Sequence, residues 1–325
     1  MLRLLPDCLG AVFCPVSFYC FTVRLFIDKI VSKMSVLSQL LANGLVAGAI
    51  YSLVASGFSL IYSTNRFIHF AHGGVIALSA YFLFWAYSGL GLNFYLAVLS
   101  TVLFSAAVGF SLDRFFYKPF RDKKSSPLIL LVASIALLIF LESLILLLSG
   151  ADVKTIDIIR NSQSLSVAGA LITPLQIAII LVSVLLFFGL YLLTKKTRIG
   201  KALRAVADNK DAAEIIGISS EKAYSWSFVI GSAIAGVAAI LISLEQNVQP
   251  TMGTDLMIKG FTGAIIGGVG SVPGAILGAF LLGFVENFGI WFLPSGYKDA
   301  IAFVLLFLFL LFRPNGILGI DFHQK

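Results

Sequence analysis

Charged side chains are scarce in this sequence, so the places where they gather carry most of its chemistry. The sixteen residues from Arg204 to Ser219 hold Arg204, Asp208, Lys210, Asp211 and Glu214, with Lys201 just ahead. Ala202, Val206, Ala213 and Ile216 recur beside these charges at helical spacing, which predicts an amphipathic helix of about four turns from Lys201 to Gly217. Gly217 suits the left-handed residue that ends such a helix. A helix of this kind lies on a lipid surface or docks in a groove of a partner protein. Charges of both signs favour the protein partner, because lipid-surface helices carry mainly Lys and Arg on their polar face.

Other ionisable groups stand inside apolar stretches. Glu142, Glu245 and Glu286 are the carboxylates there. An acidic side chain at the centre of a bilayer costs about 2.5–3.5 kcal/mol on insertion scales, so it turns toward protein or water. The bland alternative is a carboxylate reaching for the interface. His69 and His72, three residues apart, are predicted to share a helix face. Two histidines without Cys or carboxylate ligands at matching spacing do not make a metal site, so a structural or path-lining role is assigned to them and not catalysis. No Gly-x-x-x-x-Gly-Lys-Ser/Thr phosphate loop occurs, nor a His-Glu-x-x-His motif.

The elements that position these groups follow from composition. Of 325 residues 59% are hydrophobic and 12% charged, against about 25% charged in an average soluble domain. Apolar runs long enough to cross a hydrocarbon core of about 30 Å recur from Leu37 to Phe312. They are continuously apolar and lack the alternation of barrel strands, so the predicted class is all-α, a polytopic transmembrane bundle of about eight or nine spans. The spans are placed near 37–62, 69–88, 93–117, 127–149, 173–194, 224–245, 256–271, 274–293 and 298–312. "GGVGSVPG", Gly267 to Gly274, packs four glycines and a proline between the seventh and eighth, which reads as a re-entrant or broken pair.

The net charge of +7 is a statement about topology. Basic residues flank the spans and do not form a nucleic-acid stripe. Arg114, Lys118, Arg121, Lys123 and Lys124 follow the third span, and Lys195, Lys196, Arg198, Lys201, Arg204 and Lys210 follow the fifth. Both loops are placed in the cytoplasm, with residues 150–172 and 246–255 outside. On this count the three glutamates lie toward the outer half and the histidines toward the inner side. Small residues at four-residue spacing, Gly44, Gly48, Ser52 and Ser56 in one span and Ser271, Ala275, Ala279 and Gly283 in another, predict close helix packing.

The stretch before Met34 differs from the rest. It holds all three cysteines, Cys8, Cys14 and Cys20, and an apolar run, Cys8 to Val23, that is short for a span. Arg3, Arg24, Lys29 and Lys33 would sit on the outer side, against the positive-inside rule. Residues 1–33 are therefore read as an extension from an upstream start codon, with a signal-like or anchoring segment as the alternative.

"DAAEIIG", Asp211 to Gly217, resembles the Glu-Ala-Ala-x-x-x-Gly signature of permeases of ATP-binding-cassette importers, with Asp for Glu. "NGLVAGAIYSLVASGFSLIYS" (Asn43 to Ser63), "FIHFAHGG" (Phe67 to Gly74), "GAIIGGVGSVPGAILGAFLLGFVE" (Gly263 to Glu286) and "FRPNGILG" (Phe312 to Gly319) are similar, in order and spacing, to the branched-chain amino-acid importer permeases, nearer to the first of their two paired permeases. The resemblance covers residues 34–319 and leaves 320–325 as a cytoplasmic tail. His69 stands where the family usually has Asn, and Gly74 where a polar residue is common.

The resemblance implies a multi-pass transport subunit in a bacterial cytoplasmic membrane, with no catalytic residues, no metal and no cofactor of its own. It implies a homologous second permease, two ATP-binding subunits that hold the ATP, and an extracytoplasmic binding protein as partners. Lys201, Arg204, Asp208, Asp211, Ala212, Ala213, Glu214 and Gly217 would then couple to the ATPases. His69, His72, Gly73, Glu142, Glu245 and Glu286 would line the path of a zwitterionic substrate. The alternatives are a carrier using Glu142 or Glu286 to move protons, and a permease of the same class for urea or small amides.

Overall fold

A computed structural model of the chain describes residues 15–156, 164–167 and 169–319, with 15–35 described by backbone course alone. The chain runs α1 (Pro15–Asn65), α2 (Ala71–Phe84), α3 (Phe94–Ser111), α4 (Lys118–Asp122), α5 (Pro127–Ser149), β1 (Leu165–Val167), β2 (Ala170–Ile172), α6 (Pro174–Lys196), α7 (Arg198–Asp208), α8 (Lys210–Ile215), α9 (Ser220–Glu245), α10 (Met252–Gly267), α11 (Val272–Gly289) and α12 (Lys298–Phe312). Short π turns, Trp85–Gly89 and Leu112–Tyr117, extend α2 and α3. Local chemistry sets the starts: Thr173 and Gln176 form a reciprocal capping box ahead of Pro174, and Ser271 accepts from the Gly274 N–H. Cys8, Cys14 to its N-terminal side and the tail 320–325 lie outside the described residues, while α1 continues unbroken through Met34.

Each of the nine expected spans corresponds to a helix. Seven of the described helical runs are long and apolar enough to cross a membrane. The exceptions are α2 and α10, of 14 and 16 residues, or about 21 and 24 Å at 1.5 Å per residue. Both are preceded by non-helical chain that is buried, with Phe67, His69 and Val248 almost fully enclosed. Ser134 Oγ donates to the Ile68 carbonyl and accepts from the Phe70 N–H, satisfying this irregular backbone seven residues into α5. Irregular backbone survives at membrane depth only when protein surrounds it in this way.

The pair around "GGVGSVPG", expected to be re-entrant or broken, includes the short helix α10. Residues 268–271 form a tight turn between the separate helices α10 and α11, and the broken backbone lies ahead of α2 and α10. The first turns of those two short helices meet. A Cβ on Gly73 would lie 2.6 Å from the Gly253 carbonyl oxygen, and one on Gly253 would fall closer still to that of Gly73. Only glycine permits this approach.

Packing partners are exchanged pairwise between the two halves. α11 and α10 pack on α1 as α3 and α2 pack on α9, and α12 packs on α10 as α5 packs on α2. This exchange of partners is the pairing pattern that an inverted-topology repeat produces. Of the predicted small-residue stripes, Gly44 and Gly48 face Phe284 and Phe280 and Gly283 meets the backbone of Gly48 at the α1–α11 seam, whereas Ala275 and Ala279 meet Gly267 and Gly263 of α10.

The side that the distribution of basic loops assigns as outer carries two features that no apolar pattern announces. β1 and β2 pair antiparallel, and Gln39 both accepts from the Leu171 N–H at 2.8 Å and donates to the Leu171 carbonyl at 3.2 Å. Lys154 and Val248 form a bridge between the loops after α5 and α9, which agrees with both loops lying on one side.

Candidate functional site

The outer end of the bundle holds a cavity of about 310 Å³ lined by Tyr51, Gln246, Asp255, Lys259, Lys298 and Asp299, with Ile242, Met252 and Leu256 beside them. α10 positions Lys259 so that its Nζ lies 3.3 Å from Glu286 Oε2 on α11 and 3.3 Å from Asp299 Oδ1 on α12. Lys259 also donates to the Tyr51 hydroxyl at 3.2 Å, and that hydroxyl donates to Glu286 Oε2 at 2.9 Å. Glu286 is fully buried, whereas Asp299 reaches solvent. Four helices thus converge on one ammonium group. A charge pair in so dry a setting holds only when its partners are well engaged; Glu286 Oε2 takes both Lys259 and Tyr51, while Oε1 has no partner among the described residues.

Of the six residues assigned to a path, Glu286 alone joins this cluster. Glu142, on α5, accepts from Thr254 Oγ1 in the first turn of α10. Glu245, at the end of α9, accepts from Gln176 Nε2 at 3.0 Å, next to the cavity residue Gln246. His69 and His72 are fully buried, His69 among Phe67, Tyr117 and Phe228 and His72 beside Gly57. His69 Nδ1 lies 2.9 Å from the Tyr117 hydroxyl, while neither nitrogen of His72 has a partner among the described residues. The expectation that they share a helix face is corrected: His69 belongs to the extended approach and His72 to α2, with ring centroids 6.1 Å apart. Gly73 serves the contact with Gly253. Among the described residues no three His, Cys, Asp or Glu converge as metal ligands.

Lys259 and Tyr51 escaped the sequence reading. Lys259 was legible in principle, as a lone cation inside the predicted seventh span. Tyr51 carried no such signal, because a tyrosine in an apolar helix is ordinary until a charge comes within reach.

The cytoplasmic segment differs from its predicted form. The single helix from Lys201 to Gly217 is two helices, broken at Asn209, whose backbone is extended and whose side chain accepts from the Ala212 N–H at 3.0 Å. A residue that caps one helix cannot continue another, so the mid-segment Asn overrides the apolar periodicity. The buried stripe is Leu203, Val206 and Ala213. Ala202 is half-buried, and Ile216, expected to be inside, is 73% exposed. Lys201, Arg204, Asp208, Asp211, Ala212 and Glu214 are exposed around it.

Gly217 has φ +86°, and the segment closes as a Schellman motif: Gly217 N–H donates to the Glu214 carbonyl and Ile218 N–H to that of Ala213. A side chain there would meet no atom within 4 Å, so the requirement for glycine is conformational alone. α7 is anchored to the transmembrane part through Arg66, whose guanidinium donates to the Ala207 carbonyl from the α1–α2 connection. At the tip, Ile215 and Ile216 stand 86% and 73% exposed beside Glu214, an apolar patch ringed by charge.

A family model described as branched-chain amino acid transport system / permease component matches residues 40–310. The high-affinity branched-chain amino acid transport system permease protein BraD of Pseudomonas aeruginosa is 38% identical over 294 residues, covering 86% of this chain and 95% of BraD. The corresponding protein LivH of Escherichia coli K12 is 33% identical over 296 residues, with the same coverage. The autoinducer 2 import system permease protein LsrC of Yersinia pestis is 28% identical over 272 residues, 80% of this chain and 73% of LsrC. No solved structure matches. With a family match over most of its length and relatives of one kind, the chain is a multi-pass transport protein that belongs to the permease components of branched-chain amino acid transport systems.

Proposed function

We propose that this chain imports branched-chain amino acids across the cytoplasmic membrane as one permease of an ATP-driven transporter, alongside a homologous second permease, two ATP-binding subunits and an extracytoplasmic binding protein. The observation that carries the coupling half of this proposal is the tip of α8. Ile215 and Ile216 are displayed to the cytoplasm on a segment tied through Arg66 to the α1–α2 connection and packed against α9. An ATPase that grips this tip and moves it shifts the connection ahead of α2, and with it the contact at Gly73 and Gly253 between the two halves. Alternating access would follow as a rigid-body change between two packings.

The outer cavity supplies the receiving end. Lys259 and Lys298 face the carboxylate of an amino acid, Asp255 and Asp299 its ammonium, and Ile242, Met252 and Leu256 its aliphatic side chain. No bond in the substrate is made or broken.

Two measurements test this. Purification through a C-terminal tag should recover two ATP-binding proteins and a second permease. Uptake of labelled leucine into vesicles should require ATP, should survive a proton uncoupler, and should be competed by isoleucine and valine but not by urea. A protein that purifies alone and loses uptake with the uncoupler is a proton-coupled carrier.

A further inference from the structure

A second cavity, of about 470 Å³, opens on the cytoplasmic side between the end of α3 and the start of α9, apart from the α8 tip. Its wall carries Arg114, Lys118 and Lys222 together with Glu221, whose carboxylate is paired with Arg121, and Ser219 and Ser225, with Phe110, Trp226 and Val229 continuing from it along the bundle. The π turn Leu112–Tyr117 explains the arrangement. It turns Asp113 fully inward and leaves Arg114 exposed beside it.

The acids of this corner are already engaged. Arg121 lies 2.8 Å from Asp113 and 3.0 Å from Glu221, with its guanidinium 4.8 Å from the Tyr224 ring centre. Ser225 Oγ adds a hydrogen bond to Asp113. Arg114, Lys118 and Lys222 have no acidic partner among the described residues. Phe110 and Trp226 are 46% and 45% exposed at the same level, the depth at which indoles anchor to headgroups. Three unpaired cations above a half-exposed aromatic wall, on the side where basic loops cluster, match a ligand with an anionic head and long apolar tails.

We propose that this cavity holds the phosphodiester headgroup of an anionic phospholipid of the inner leaflet. Arg114, Lys118 and Lys222 surround the phosphate, and the acyl chains run along Phe110, Trp226 and Val229. The site shares no residue with the outer cavity, and its basic residues lie outside the α7–α8 segment, so its lipid test reads separately from the transport proposal.

The test compares two double variants that remove equal charge from the same side of the membrane, Lys118→Gln/Lys222→Gln in the cavity and Lys195→Gln/Lys196→Gln at the end of α6. The full transporter is purified in mild detergent, and co-purifying phosphatidylglycerol and cardiolipin are quantified by mass spectrometry. Retention should fall about tenfold in the cavity variant only and stay at the wild-type level in Lys118→Arg/Lys222→Arg. Equal losses in the two Gln variants would reduce the effect to general surface charge and overturn the site.

In nanodiscs of phosphatidylcholine alone, adding phosphatidylglycerol should raise the melting temperature, whereas millimolar inorganic phosphate should not. An equal rise with phosphate would make it a free-anion site. A photoreactive side chain in place of Trp226 should capture lipid, and capture of another subunit's polypeptide would identify the cavity as a protein interface instead.

Discussion

The outer cluster around Lys259 and the cytoplasmic segment α7–α8 both concentrate charge, yet they use it in opposite ways. Lys259 and Glu286 are 14% and 1% exposed, drawn from the consecutive helices α10 and α11, and locked by Tyr51 of the distant α1. In α8 the Lys210–Glu214 pair is 3.9 Å apart with both side chains about half exposed. Removing one partner of a buried pair typically costs about 3–5 kcal/mol, whereas an exposed pair contributes about 0–1 kcal/mol. The outer charges therefore hold four helices in register. The Lys210–Glu214 pair itself holds little, and what the exposed charges of the segment present to a partner is their value.

The largest effect should come from breaking the outer pair. Lys259→Ala leaves Glu286 buried and unopposed and should lower stability by about 3–5 kcal/mol in detergent melting, with uptake abolished. Lys259→Met/Glu286→Leu should recover most of that stability while uptake stays low. A double variant that transports normally would reduce the cluster to scaffolding.

Gly217→Leu comes next. It forces a left-handed backbone on a leucine at about 1–2 kcal/mol, with no clash to add. The melting curve should move little, ATP hydrolysis should continue, and uptake should collapse. Gly217→Asn, which tolerates that backbone better, should retain part of the uptake, and normal uptake in the Leu variant would remove the segment from coupling.

The smallest effect is expected at Asn209, whose replacement by Ala loses the cap of α8, typically ~1 kcal/mol, and should lower uptake by about fivefold or less. Asn209→Asp should restore it. If Asn209→Ala proves as damaging as Gly217→Leu, the angle between α7 and α8 matters more than the closing turn.

The apolar runs made the helices legible because each must satisfy its own backbone in lipid, so length and hydropathy suffice to locate it. The four-residue spacing of small residues likewise pointed to close helix packing, which Gly44, Gly48 and Gly283 show where α1 meets α11. The break at Asn209 is not legible in the apolar periodicity, because a capping side chain overrides it.

By itself, the sequence determined the membrane class, the positions of the spans, the exposed charged segment and the turn at Gly217, since all depend on neighbours within a few residues. Only the tertiary structure decided that α2 and α10 start inside the protein with their first turns touching, that packing partners are exchanged between the halves, and that Lys259 finds Tyr51, Glu286 and Asp299. Those features depend on contacts between distant helices, and a buried charge leaves no trace of its partners in the chain around it.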